Sequence, residues 1–173
     1  MSLTQEVKKE ILSGLEEMQP CCKVAFLSAV FKALGSILIS SSGIGLMLSS
    51  ENRALILFVK KIVSELYGYT GSIETEKNPL KKRNIYSIKI FDDTIIRETR
   101  IIIIEEGLTK IYQGVDKYLL TDDCCRKSFI KGLFLGCGIV TMPKLKHIEE
   151  DTKSNVSYHL EFDLSNERFA LDV

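Results

Sequence analysis

The residues best equipped for chemistry are cysteines: five in all, four of them in two adjacent pairs, Cys21-Cys22 and Cys124-Cys125. Thiolates bind soft metals such as zinc and exchange into disulfides. Adjacent residues on a helix point about 100° apart, so a single pair chelates poorly, unlike C-x2-C. Two pairs gathered at one end of a helix pair would make a four-thiolate site or a cross-linking disulfide. Buried, inert thiols are the plain alternative, and no metal or cofactor is expected from the pattern alone. His147 and His159 are the only histidines, and no Ser-His-Asp or Cys-His order surrounds them. Gly43, Gly45, Gly68 and Gly71 do not form a phosphate-binding loop. The second chemical feature is basic: Lys77, Lys81, Lys82, Arg83 and Lys89, which with Glu74 and Glu76 net +3 over residues 74–89. Such a cluster either contacts phosphates or is the solvated tip of a hairpin.

The chain carrying these groups has 173 residues, 45% hydrophobic and 27% charged, which suits a folded domain or two small repeated halves. Lys plus Arg and Asp plus Glu both number 23, so the formal net charge is zero. That excludes a wholly basic nucleic-acid coat and an acidic tail. The N-terminus Ser2-Leu3-Thr4-Gln5-Glu6-Val7-Lys8-Lys9 has no apolar core of a signal peptide. With an odd number of cysteines as well, the chain reads as reduced and cytoplasmic. From Val24 to Ser50 the only charge is Lys32, long enough to imitate a membrane span. Lys32 and the turn cluster Ser40-Ser41-Ser42-Gly43 argue instead for a buried helix and a hairpin.

Apolar spacing predicts a helix over residues 3–18, opened by a capping box of Ser2 and Gln5. Pro20 starts a second helix that Gly35 ends. A hairpin over about 36–40 and 44–48 follows, then a third helix capped by Ser49 or Ser50 and stopped at Gly68. Strands are expected from Tyr69 to Glu76 and from Asn84 to Phe91. A helix from Asp92 or Asp93 to Glu106 is favoured over a strand at the four isoleucines 101–104, although their propensity is for strand. Residues 108–120 read as a linker with a helical turn at 115–120. The alternation of one helix with two strands implies an α+β unit.

The sequence repeats at an offset of 103. Cys21 to Gly35 aligns without a gap on Cys124 to Gly138, with five of fifteen pairs identical. Both copies place small residues every fourth position: Ala25, Ala29 and Ala33, then Ser128, Gly132 and Gly136. A spacing of four is one ridge of a helix, and a ridge without bulk lets two backbones approach. The two helices are therefore expected to pack along these ridges about a pseudo-twofold axis.

These helices resemble the signature helix of the LAGLIDADG homing endonucleases, at Leu27 to Gly35 and again at Ile130 to Gly138. The likeness is closer to the N-terminal part of the WhiA family of bacterial sporulation and cell-division regulators. It rests on Lys8-Lys9-Glu10, Cys21-Cys22, Thr121 to Arg126, Gly132 to Val140 and Ser157-Tyr158-His159-Leu160-Glu161. The resemblance implies a LAGLIDADG-type pseudo-dimer of αββαββ repeats. The N-terminal helix would occupy 1–19, the first repeat 20–107, a linker 108–123 and an incomplete second repeat 124–173. It implies a DNA-binding transcription regulator at the nucleoid, with other transcription proteins as further partners and no membrane. The duplex contacts would come from Lys77, Lys81, Lys82, Arg83 and Lys89, with Lys32 and Lys131 on the signature helices. A nuclease of this kind carries an acid just before the last glycine of each signature helix to hold divalent metal. Those positions here are Leu34 and Cys137, neither a hard oxygen ligand, so cleavage is not expected. Relocated acids such as Glu161 or Asp163 are the one route back to an enzyme. The family also continues into a helix-turn-helix domain that this chain lacks, so a fragment or a truncated relative is expected. The alternative is a protein-interaction scaffold whose DNA binding lies in that further domain.

Overall fold

In the computed structural model the described residues are 2–15, 17–41, 43–78, 83–142, 158–164 and 169. Helix α1 (Leu3–Ser13) opens on the expected capping box. Ser2 Oγ accepts from the Gln5 amide and the Gln5 side chain accepts from the Ser2 amide. It stops earlier than the apolar spacing predicts. The amide of Gly14 reaches back to the Glu10 and Ile11 carbonyls and closes the helix. Leu15 and Met18 still pack into the core from the irregular chain beyond it. Burial set their spacing, and the helix did not have to continue to satisfy it.

Helix α2 (Pro20–Leu34) runs straight into β1 (Gly35–Ser40), which pairs antiparallel with β2 (Gly43–Ser50). Helix α3 (Arg53–Tyr67) is capped by Asn52, whose side chain accepts from the Leu55 amide. Ser50, proposed from sequence as the cap, instead accepts from the Asn52 amide and supports it. Gly68 ends α3 in the left-handed conformation at φ 67°, where a Cβ would be strained. Strand β3 (Ile73–Lys77) begins four residues later than expected, because Tyr69 turns its hydroxyl onto the Lys89 carbonyl at 2.6 Å. With β4 (Asn84–Ile90) it completes a four-stranded antiparallel sheet in the order β1-β2-β4-β3. Leu46, Leu48, Ile88 and Ile90 face α2 and α3 and form the larger core with Phe26, Leu55, Ile56, Val59 and Ile62.

The segment after Phe91 differs most from the expectation. Helix α4 covers only Asp93–Glu98, capped by Asp92 and ended by Thr99, whose hydroxyl bonds the Ile95 carbonyl at 2.7 Å. The isoleucine run then forms β5 (Ile102–Glu105), paired with β6 (Leu108–Ile111). The predicted helix to Glu106 and the start of the linker at 108 are both overturned. β-Branched residues favour the strand. Glu106 and Gly107 sit at φ 52° and 77°, the two positive values that a tight hairpin turn requires. A short 3-10 helix at Lys117–Leu120 matches the expected helical turn.

Helix α5 (Asp123–Cys137) leads into β7 (Gly138–Thr141), which pairs with β8 (His159–Phe162). This repeats the path of α2, β1 and β2. Among the described residues no helix is long and apolar enough to cross a membrane.

Candidate functional site

The 103-residue repeat becomes a helix pair. Helices α2 and α5 lie side by side and parallel, and equivalent residues meet across the seam. Cys22 Sγ stands 3.9 Å from Cys125 Sγ. A Cβ added at Gly132 would come within 3.1 Å of the Ala29 Cβ, and one added at Gly136 within 2.6 Å of the Ala33 Cβ. Residue i thus faces residue i+103 along the whole seam, as a twofold axis parallel to the helices requires. Ala25 and Ser128 are buried at the same seam. The second core is built here, from Cys22, Ala25, Ala29, Cys125, Phe129, Leu133 and Phe169. Gly35 and Gly138 have nearly the same conformation, φ −77° and −74°, so each helix turns into its strand in the same way. Both are glycine because a Cβ would collide with residue i−4, the Phe31 backbone in one copy and the Phe134 ring in the other.

Leu34 and Cys137 are the last residues of the two paired helices. The Leu34 Cγ lies 3.5 Å from where a Gly136 Cβ would stand, beside Cys137. Leu34 packs on the larger core. Cys137 packs on the seam core, and its thiol donates to the Leu133 carbonyl. Burial pushes the Cys137 thiol up, and the nearby Lys8 ammonium only partly offsets this. Neither an apolar side chain nor a protonated thiol offers the hard oxygen ligand that Mg²⁺ takes.

The basic residues are more occupied than their sequence pattern implies. Lys89 pairs with Glu74 at 2.7 Å across the sheet, and Arg83 pairs with Glu51 at 3.0 Å. Lys77 is exposed at the end of β3 and Lys131 is exposed on α5. Lys81 and Lys82 lie outside the described residues. Lys32 is turned inward: its ammonium donates to the Tyr112 carbonyl at 2.8 Å and lies over the Tyr112 and Phe169 rings. It fastens the β5–β6 hairpin segment to α2. Strand alternation puts Glu74, Glu76, Ser87 and Lys89 on the sheet face away from the core, and Glu161 with His159 on the matching face of β8. Among the described residues these faces thus carry Glu74, Glu76 and Glu161 beside Lys89 and His159.

The opposite end of the helix pair gathers the two cysteine pairs, as expected where the repeated helices pack side by side. The sulfurs of Cys21, Cys22, Cys124 and Cys125 all lie within 4.8 Å of one another. Cys22 and Cys125 are buried, while Cys21 and Cys124 are exposed. Burial holds the Cys22 and Cys125 thiols up, whereas a hydrogen bond from Cys22 draws Cys124 down. The 103-residue repeat was the signal: it makes the two pairs neighbours.

Fold and seam together define a LAGLIDADG-type pseudo-dimer, with two signature helices back to back and a sheet springing from each. Residues 20–102 match the WhiA N-terminal LAGLIDADG-like domain and residues 126–173 the WhiA LAGLIDADG-like domain. The chain belongs to the WhiA family. It is 31% identical over 178 aligned positions to a "Probable cell division protein WhiA" of Clostridium botulinum strain Hall, covering 100% of this chain and 53% of that protein. It is 32% identical over 164 positions to the protein of that name from Anoxybacillus flavithermus, covering 93% of this chain and 46% of the relative. The chain therefore spans about half the length of these relatives. The crystal structure of the N-terminal LAGLIDADG domain of DUF199/WhiA has the same fold, with a TM-score of 0.62 at 21% identity over 94% of this chain and 66% of that one. Full-length DUF199/WhiA from Thermatoga maritima gives a TM-score of 0.54 at 21% identity, over 80% of this chain and 40% of that one.

Proposed function

We propose that this chain is the nuclease-inactive LAGLIDADG body of a WhiA-type DNA-binding transcription regulator, linked to cell division and sporulation and working at the nucleoid. The observation that carries this reading is the pair Leu34 and Cys137 at the ends of the paired helices. The fold of a metal-dependent nuclease is kept, and its two acid positions are chemically unable to hold Mg²⁺. Incubation with supercoiled plasmid and Mg²⁺ is expected to give no nicking above the protein-free control. Nicking that disappears in Glu161→Gln or Asp163→Asn would show relocated acids and sink the inactive reading.

DNA binding by the chain alone is expected to be weak and independent of sequence. Net charge is zero, Arg83 and Lys89 have acidic partners, and the open sheet faces carry acids. The basic hairpin at 77–89 is what supports contact with phosphates. If Lys81, Lys82 and Arg83 each neutralise one phosphate, log K against log salt falls with a slope of about −2.7, from −0.9 per phosphate. Changing all three to Ala should flatten that slope and weaken every duplex alike, measured by fluorescence anisotropy.

The acidic pairing of Arg83 and Lys89 also favours a second reading, a protein-interaction scaffold for other transcription proteins. The two separate in the same titration. A scaffold shows no salt-dependent anisotropy change on any duplex, and the triple substitution has no effect.

A further inference from the structure

We propose that Cys21, Cys22, Cys124 and Cys125 form a four-thiolate site for a single zinc ion that clamps the first turns of α2 and α5 together. This site lies at the opposite end of the helix pair from Leu34 and Cys137, and it does not depend on the DNA-binding reading.

The geometry comes first. Zinc bound tetrahedrally by four sulfurs at about 2.3 Å needs sulfur–sulfur separations of about 3.8 Å. The Cys22 and Cys125 sulfurs are 3.9 Å apart, and every pair is within 4.8 Å. The widest pair thus has about 1 Å to close, within the reach of rotation at the exposed Cys21 and Cys124. The same closeness excludes an iron–sulfur cluster, whose thiolates must stand further apart to enclose several irons and sulfides. Four sulfurs with no carboxylate among them select a soft ion over Mg²⁺ or Ca²⁺.

The backbone supplies the rest. The cysteines occupy the second and third positions of α2 and the same positions of α5, where helix amides have no partner inside the helix. The cap residues Gln19 and Asp122 offer no side-chain hydrogen bond to those amides. Thiolate sulfurs at these positions are acceptors for them, and two helix N-termini side by side offset the surplus negative charge of four thiolates around Zn²⁺. Asp123, the other nearby acid, is taken by Arg126. A path from solvent exists as well: an open cavity of about 510 Å³ reaches Cys21 and Cys125 past Arg97 and Arg100.

This placement resolves the objection raised by the sequence. One adjacent pair on one helix diverges too widely to chelate. Two such pairs on parallel helices related by a twofold axis converge, with Cys22 and Cys125 inside the seam and Cys21 and Cys124 closing the site from outside. Zinc would then join residues 103 positions apart in the chain and tie assembly of the pseudo-dimer to metal supply.

The test uses the full chain, reduced and stripped of metal. Cobalt(II) titration is expected to saturate at one ion per chain. It should give thiolate-to-cobalt charge-transfer bands and the intense visible bands of tetrahedral coordination, all displaced by zinc. Zinc at a hundredfold over its Kd should raise the melting midpoint by about 5–10 °C. It should also protect Cys21 and Cys124 from alkylation. Cys21→Ser and Cys124→Ser, at exposed positions that leave the core intact, should each abolish the four-thiolate cobalt spectrum while circular dichroism shows a folded chain. Cys137→Ser should leave the spectrum and stoichiometry unchanged. A folded, reduced protein giving only the weak spectrum of hydrated cobalt would overturn the proposal. So would a Cys22–Cys125 disulfide found by mass spectrometry in protein kept under reductant.

Discussion

Gly132→Leu is expected to leave no cooperatively folded protein at 25 °C, while Gly132→Ala folds with a lowered melting midpoint. A Cβ at Gly132 would stand 2.7 Å from the Phe26 carbonyl oxygen, 3.1 Å from the Ala29 Cβ and 3.2 Å from the Phe26 ring. The nearest of these is backbone of the facing helix, which cannot swing aside as a flexible side chain would. Alanine gains about 1 kcal/mol of helix propensity over glycine. Forcing the helices apart typically costs about 1–3 kcal/mol, and occasionally more, so the sum for alanine falls on the destabilising side. At this chain length each kcal/mol lost lowers the midpoint by roughly 2–4 °C. Leucine adds three more carbons to the same closed seam, where Ala25, Ala29 and Leu133 are fully buried and leave no space. Ala29→Leu is the reciprocal insertion and should fail in the same way. Lys131→Ala, one residue along and exposed, should stay within about 0.5 kcal/mol of the parent. Near-parental melting of Gly132→Leu would mean that α2 and α5 do not pack as described.

That seam was the most legible part of the fold because it was written twice. Ala25, Ala29 and Ala33 repeat as Ser128, Gly132 and Gly136 at one offset, and each copy starts with paired cysteines and ends in glycine. Small residues at a spacing of four have few other uses in an apolar helix. The segment 92–111 was legible only in part. Asp92 was a correct cap, but Ile95, Ile96, Ile102 and Ile103 fit a helical face as well as a strand. The decision lay in Glu106-Gly107, where a non-glycine residue adopts positive φ and nothing local announces it. The cap of α3 was off by two or three residues for a related reason. Ser50 and Asn52 are both competent, and only the length of β2 selects Asn52. The basic hairpin was visible as composition but not as electrostatics. Glu51 is 32 residues from Arg83 and became its partner only when α3 and β4 met.

The occupied bases and the residues Leu34 and Cys137 both favour the proposed nuclease-inactive reading. A nuclease must hold DNA and metal together at the C-terminal ends of the signature helices. Here that end has Leu34 in a hydrophobic core and Cys137 as a neutral thiol, and Lys32 is spent on Tyr112 within the chain. Chemistry-bearing side chains instead gather at the N-terminal ends, where four cysteines meet.

Phe26→Ala is expected to cost about 3–5 kcal/mol, as large as a single core truncation usually gets. Phe26 is fully buried and joins the two cores. Its ring meets Phe58 of α3 edge-on with centroids 5.4 Å apart, and the other side of the same residue lies against Gly132 of α5. Truncation would open a cavity beneath the four-stranded sheet and loosen the support of the seam at once. The repeat provides an internal comparison in Phe129, which occupies the equivalent position of α5. Phe129 is also buried and meets Phe169 edge-on, at 6.3 Å. It belongs to the smaller core, so Phe129→Ala should cost less than Phe26→Ala although the two residues are identical and symmetry-related. Urea unfolding followed by circular dichroism measures both. A single transition with an unchanged m-value and the larger fall in midpoint for Phe26→Ala is the expected result. Equal losses would mean that the two cores contribute alike. A second transition appearing in Phe26→Ala alone would show that the sheet-bearing half and the α5 half unfold separately, contrary to a seam that makes them one cooperative unit.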